Sequence, residues 1–105
     1  AYCSSKAAMN MAMACVAREE PDICVMSVKP GIVDTAMVAE ASSSRAAALD
    51  PEQSKWMKAV RETDQFVQPS VPGEVLAKLV LYAPKELSGK FFGYGDDNIK
   101  SLLKR

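Results

Sequence analysis

Between Ser4 and Glu19 the chain carries small and apolar residues with no Gly or Pro, and Met9, Ala12, Met13 and Val16 recur at i, i+3, i+4 and i+7. That spacing predicts an amphipathic helix over 4–19. Ala7, Ala8, Ala12, Ala14 and Ala17 raise its propensity and leave little side-chain bulk, so it can lie close to a sheet or another helix. Asn10, Arg18 and Glu19 fall off the stripe, and Pro21-Asp22 ends the helix. A nearly continuous apolar run follows, Ile23-Cys24-Val25-Met26-Ser27-Val28, and stops at Lys29-Pro30-Gly31. Such a run fits a strand covered on both faces of a parallel sheet, and a helix feeding it is half of a βαβ unit. The strand before the helix would lie upstream of Ala1.

From Val33 to about Val71 the pattern is less regular. Ala41-Ser42-Ser43-Ser44-Arg45 is small and polar and reads as a mobile connection. Asp50-Pro51 reads as a helix start, with Asp50 as N-cap, Pro51 in the first turn and Gln53 three residues after the cap. Trp56, Met57 and Val60 then draw an apolar face. Pro72 opens a helix that runs through Tyr82, striped by Val75, Leu76, Leu79 and Val80. Ala83-Pro84 closes that helix, Leu87-Ser88-Gly89 turns the chain, and Lys90-Phe91-Phe92-Gly93-Tyr94 reads as a second strand, with Gly93-Tyr94-Gly95 turning after it. Ile99 to Leu103 is too short to assign.

Composition narrows the chemistry. Thirteen Lys and Arg balance thirteen Asp and Glu over 105 residues. Nucleic acid is therefore not expected as a partner, since phosphate binding needs a clustered basic surplus. No apolar run approaches the roughly 18 residues that span a bilayer, so no membrane partner is expected. The start lacks the basic-then-apolar order of a secretory signal, and a cytoplasmic setting is expected. It also lacks an initiator Met, so the chain reads as processed or as a fragment. Cys3, Cys15 and Cys24 are odd in number with no C-x-x-C pair, which predicts buried, reduced thiols rather than a metal site or disulfides. With no His, Cys-His and Ser-His-Asp systems are excluded within the chain.

Two constellations remain. Tyr2 and Lys6 stand four residues apart, so on a helix they share a face and can address one site. A fixed cation near a phenol favours the phenolate and brings a poor acid closer to the neutral range. Pro30-Gly31-Ile32-Val33-Asp34-Thr35 directly follows the apolar strand, and ligands of open α/β sheets bind beyond strand carboxyl ends. The Pro-Gly pair turns the chain and leaves one position without a side chain. Val33 can offer its N–H and C=O to an amide, and Thr35 supplies a hydroxyl and can cap a following helix.

Taken together, Tyr2-x-x-x-Lys6, the alanine-rich helix, the strand, Pro30-Gly31 and Thr35 resemble the classical short-chain dehydrogenase/reductase family. The helix opening at Pro72 and the Ser88-Gly89-Lys90-Phe91-Phe92 strand are similar to the end of that fold. The nearest likeness is to carbonyl reductases of the sepiapterin or benzil reductase kind. The resemblance implies an α/β chain, the C-terminal part of a Rossmann-like doubly wound parallel sheet, incomplete as given. Residues 1–105 would then be the last two fifths of one NAD(P)-binding domain, with a substrate lid at about 36–68.

The resemblance also implies roles. Tyr2 would donate the proton during NAD(P)H-dependent reduction of a small carbonyl compound, or accept it in alcohol oxidation, and Lys6 would lower the tyrosine pKa. Tyr2, Lys6, Pro30, Gly31, Val33 and Thr35 would hold the nicotinamide end of the cofactor, NADP(H) being favoured over NAD(H). Met37, Trp56 and Met57 would line the lid, and no metal is called for. The expected partners are the missing N-terminal half of the fold and further copies, as a homodimer or homotetramer through a helix face such as Ala8, Met9, Ala12 and Met13. The glycine-rich first turn, the active-site serine and the asparagine of the family are absent, as is the residue that selects between the two cofactors. The alternative reading is therefore a truncated, non-catalytic chain that keeps an α/β association surface, and a third is an unrelated α/β binding module. Two strands and about three helices do not complete a doubly wound sheet. The segment alone is expected to be unstable, to oligomerise or to sit on its missing half, and not to reduce carbonyls.

Overall fold

The computed structural model describes residues 1–41, 43, 48, 50–63 and 65–104. Most of the polar connection expected at Ala41–Arg45 (Ser42, Ser44, Arg45) lies outside the described residues. Along the chain run helix α1 (Tyr2–Glu19), strand β1 (Ser27–Lys29), helices α2 (Ala36–Ala41), α3 (Pro51–Glu62) and α4 (Ser70–Tyr82), a 3₁₀ turn at Lys85–Leu87, strand β2 (Phe91–Gly93) and helix α5 (Asp97–Leu103). They form two compact units, one of Ala1–Lys29 with Glu74–Arg105, the other of Pro30–Gly73.

In the first unit β1 and β2 pair in parallel, Ser27 opposite Phe91, Val28 opposite Phe92 and Lys29 opposite Gly93. The strands are shorter than the apolar runs that predict them, because the chain enters the ladder only at Val25. There Gly89 N–H donates to the Val25 carbonyl at 2.7 Å, and Val25 N–H donates to Ser88 Oγ at 3.1 Å. Ser27 N–H bonds to Lys90 O and Tyr94 N–H to Lys29 O, each at 3.0 Å. Val28, between them, turns its N–H and C=O to the opposite edge, where no partner lies among the described residues. Gly89 takes φ +79°, and a Cβ there would meet Ala17 at 3.5 Å, so α1 lies against this turn through a small residue. Only glycine adopts that backbone without strain.

The core of this unit is Leu79, Leu87, Phe92 and Ile99, with Met26, Val28, Val75 and Leu102 packed against it. Each of the four core side chains contributes roughly 1.5–3 kcal/mol by leaving water. Ile99 is 0% exposed. It sits on α5, the segment too short to assign from periodicity.

Three expectations need correction. Helix α1 begins at Tyr2, two residues early, and its half-buried face is Asn10, Met13, Ala14, Val16 and Ala17, while Met9 and Ala12 face out. Helix α4 also starts two residues early, at Ser70. Pro72 is tolerated in its first turn because the N–H that proline lacks would have no intrahelical partner there. Along α4 Pro72 and Leu79 are buried and Val75 is half-buried, while Val80 is 85% exposed. Leu76 and Val80 instead border an open apolar groove of about 480 Å³ with Cys24, Met26, Val28 and Ala83. The thiols are not buried: Cys3 and Cys15 are exposed, and the half-buried Cys24 points its Sγ at Pro84 O, 3.9 Å away.

In the second unit α3 starts where the sequence predicts. Asp50 accepts from Gln53 N–H at 3.1 Å, and Pro51 stands in the first turn. Its buried line is Ser54, Met57 and Val60; Trp56 is 55% exposed, so the apolar face is rotated away from the indole. Thr63 ends the helix, its hydroxyl donating to Val60 O at 2.7 Å.

Candidate active site

The first-turn residues of α1 bring a phenol and an ammonium together. Ser5 N–H donates to Ala1 O at 3.0 Å and Ser5 Oγ donates to Tyr2 O at 2.7 Å, so the helix is formed from its first residue. The four-residue spacing then stacks the side chains, and Lys6 Nζ lies 5.6 Å from the centre of the Tyr2 ring. That is cation–π range. Tyr2 is 63% exposed, so the pair faces outward rather than into this unit's core.

The bend after β1 belongs to the second unit. Gly31 has φ +76°, a left-handed conformation that a side chain would strain. Beyond it Val33 forms a parallel bridge with Val67. Val67 N–H donates to Ile32 O and Asp34 N–H donates to Val67 O, both at 2.9 Å. In such a bridge the flanking residues make the bonds, so Val33's own N–H and C=O point away from Val67. Neither has a partner among the described residues. Two residues on, Thr35 Oγ1 accepts from Val38 N–H at 3.4 Å and Thr35 O from Ala39 N–H at 3.1 Å, so Thr35 caps α2 as its sequence position predicts. Its hydroxyl hydrogen stays available to donate.

Of the residues expected to line a lid, Met37 is 74% exposed, Trp56 is 55% exposed and Met57 is buried at 9%. Val67 was not legible as a site residue: Phe66-Val67 is a two-residue apolar island before Gln68-Pro69, too short to signal a strand. No group of three His, Cys, Asp or Glu that could hold a metal occurs among the described residues, nor any helix long and apolar enough to cross a membrane.

A free donor and a free acceptor on one residue, two positions after a glycine, can pair with a group that offers the complementary acceptor and donor, as a primary amide does.

Residues 1–46 match the family model for short chain dehydrogenase. The chain is 37% identical over 105 residues to the uncharacterized oxidoreductase YIR035C of Saccharomyces cerevisiae, covering 98% of this chain and 41% of the yeast protein. The crystal structure of that yeast short chain dehydrogenase/reductase superposes with a TM-score of 0.80 at 33% identity, over 94% of this chain and 40% of the yeast chain. Benzil reductase ((S)-benzoin forming) IRC24 of the same yeast is 32% identical over 103 residues, covering 94% of this chain and 39% of the reductase. Sepiapterin reductase of Bos taurus is 32% identical over 96 residues, covering 91% and 34%. The chain thus spans about two fifths of the length of the relatives it matches. It is related to the oxidoreductases of the short chain dehydrogenase family and carries a part of their Rossmann-like, parallel α/β fold.

Proposed function

We propose that the full-length protein bearing this chain reduces a small carbonyl compound, or oxidises the corresponding alcohol, with Tyr2 as the proton donor. The observation that carries the reading is the stacking of Lys6 on Tyr2, 5.6 Å from nitrogen to ring centre. As the phenol O–H gives its proton to the carbonyl oxygen, negative charge grows on the Tyr2 oxygen, and the nearby ammonium stabilises it. Val33 N–H and C=O, with Gly31 leaving room and Thr35 O–H nearby in sequence, would hold the nicotinamide carboxamide, and Lys6 the ribose, with Pro30 fixing the bend. NADPH in preference to NADH, when bound, supplies the hydride. The exposed Met37 and Trp56 offer apolar surface to the carbonyl compound, with Met57 behind Trp56 in α3. Relatives named for the reduction of benzil and of sepiapterin support a carbonyl substrate. The proposal includes a C-terminal position for this stretch in one NAD(P)-binding domain, residues 36–68 as its lid, a cytoplasmic setting and a dimer or tetramer.

The test is Tyr2→Phe in the full-length protein. Turnover of benzil with NADPH should fall by about a hundredfold or more, the scale of a lost general acid, while NADPH affinity stays within about twofold. Unchanged turnover would remove Tyr2 from the chemistry.

A second reading, a non-catalytic chain that keeps an association surface, draws on Val80, Leu81 and Tyr82, three consecutive apolar or aromatic residues 85%, 69% and 74% exposed. It predicts tight self- or partner association with no NADPH binding.

A further inference from the structure

The orientation of Val33's backbone groups is set by a residue far along the chain. Its own sequence neighbours leave it in a short extended stretch between the Gly31 bend and the Thr35 cap. What fixes it is Val67, which takes Asp34 N–H on its carbonyl and gives its own N–H to Ile32 O. Both bonds are 2.9 Å, so the residues on either side of Val33 are clamped and Val33 is the one left facing away. The arm that brings Val67 there is itself braced. Arg61, in the last turn of α3, lies 5.7 Å from the centre of the Phe66 ring, and Thr63 caps that turn.

From this geometry we propose that Val67 is a positioning residue for cofactor binding: its backbone clamp aims the Val33 N–H and C=O at the carboxamide. The inference rests on the proposed function, because it takes Val33 as the carboxamide's partner. It goes further in assigning the orientation to a backbone bridge whose other half lies beyond α2 and α3. The clamp also pins both ends of the excursion from α2 to α3 at one point. Replacement of exposed residues within the excursion that have no part in the proposed site, such as Lys58, then leaves the aim of Val33 unchanged.

The experiment compares the wild-type full-length protein with Val67→Pro and Val67→Thr. Val67→Pro deletes the N–H that holds Ile32, whereas Val67→Thr keeps it along with a β-branched side chain. NADPH binding is read by its fluorescence, and backbone amides by hydrogen exchange with and without NADPH. The expected result is a loss in NADPH affinity of about tenfold for Val67→Pro, the order of one hydrogen bond, and less than about twofold for Val67→Thr. In the wild type, Asp34 and Val67 amides should exchange slowly throughout, while the Val33 amide should slow only when NADPH is added. Equal NADPH affinity in Val67→Pro overturns the proposal, and so does a loss in Val67→Thr as large as that in Val67→Pro, since side-chain packing would then explain both. The exchange measurement on the wild type stands even where Val67→Pro fails to fold: a Val33 amide already protected without NADPH overturns the clamp. NADPH binding that leaves the Val33 amide untouched defeats the carboxamide assignment and this inference with it. Failure of the clamp alone shows as a Val33 response to NADPH that survives in Val67→Pro.

Discussion

Asp96 accepts the Gly93 N–H at 2.9 Å on its Oδ2, and the turn this closes delivers Ile99 to the core. The Asp96 carbonyl takes both Ile99 N–H and Lys100 N–H at 3.0 Å, so one residue ends the strand side of the turn and starts α5. A Cβ at Gly93 would lie 2.8 Å from Asp96 Oδ1. Gly93→Ala should therefore displace the carboxylate and cost about 1–2 kcal/mol, and Asp96→Ala a similar amount by leaving the N–H unpaired. Ile99→Ala should cost more, about 2–5 kcal/mol. Urea denaturation followed by far-UV circular dichroism checks the order; Gly93→Ala as stable as wild type would refute the turn's role.

Adjacent residues of α3 should respond oppositely. Met57 is 9% exposed and Trp56 55%. Met57→Ala should lower stability by about 2–3 kcal/mol, whereas Trp56→Ala should change it by under about 0.5 kcal/mol. In the full-length protein Trp56→Ala should raise KM for an aromatic carbonyl with little change in kcat. Steady-state kinetics beside denaturation curves separates the two residues.

On the roles proposed for the ammonium, Lys6→Ala should harm two steps. Turnover should fall because the charge stacked on the Tyr2 ring would be gone, and NADPH affinity should fall because the proposed ribose contact would be lost. A variant with both unchanged would leave the stacking on Tyr2 without a chemical role. Tyr2→Phe differs in sparing affinity, so the two substitutions together distinguish proton transfer from binding.

The Glu74 carboxyl is held below the ordinary carboxylate range by a hydrogen bond from Lys78, 2.8 Å away, and by that residue's charge. A group whose folded pKa is depressed stabilises the native state above its unfolded pKa, and that contribution disappears as pH falls through the folded value. The pair is exposed, so salt should weaken it. In a carbon-detected NMR titration Glu74 should titrate below its value in Lys78→Ala, and the gap should shrink at high salt.

Much of the backbone plan was legible in the sequence because its signals are local. The Asp50-Pro51-Glu52-Gln53 start of α3, the Gly89 turn and the Thr35 cap each depend on residues within one helical turn. The half of each helix that is buried was less legible. Periodicity placed Leu76 and Val80 with Leu79, but the core reaches only the Val75–Leu79 line, so the remaining apolar side chains border the open groove beside β1. Ile99 was missed because α5 presents a single deep anchor rather than a repeating stripe. The Tyr2–Lys6 stacking follows from helix geometry once Tyr2 is helical. The Val33–Val67 bridge does not, since it joins residues on opposite sides of α2 and α3 and leaves no mark in either neighbourhood.

The pairing of Ser27 with Phe91 bears on how the chain acquires its shape. The two strands meet only after everything between them has been gathered in, whereas the hydrogen bonds of each helix join residues only a turn apart. Helices should therefore form first on refolding, with the ladder zipping last and setting the overall speed. Because closure entropy grows only with the logarithm of length, inserting a few residues between α2 and α3 should slow that final stage only slightly. Stopped-flow kinetics on insertion variants would register a large slowdown if the order were reversed.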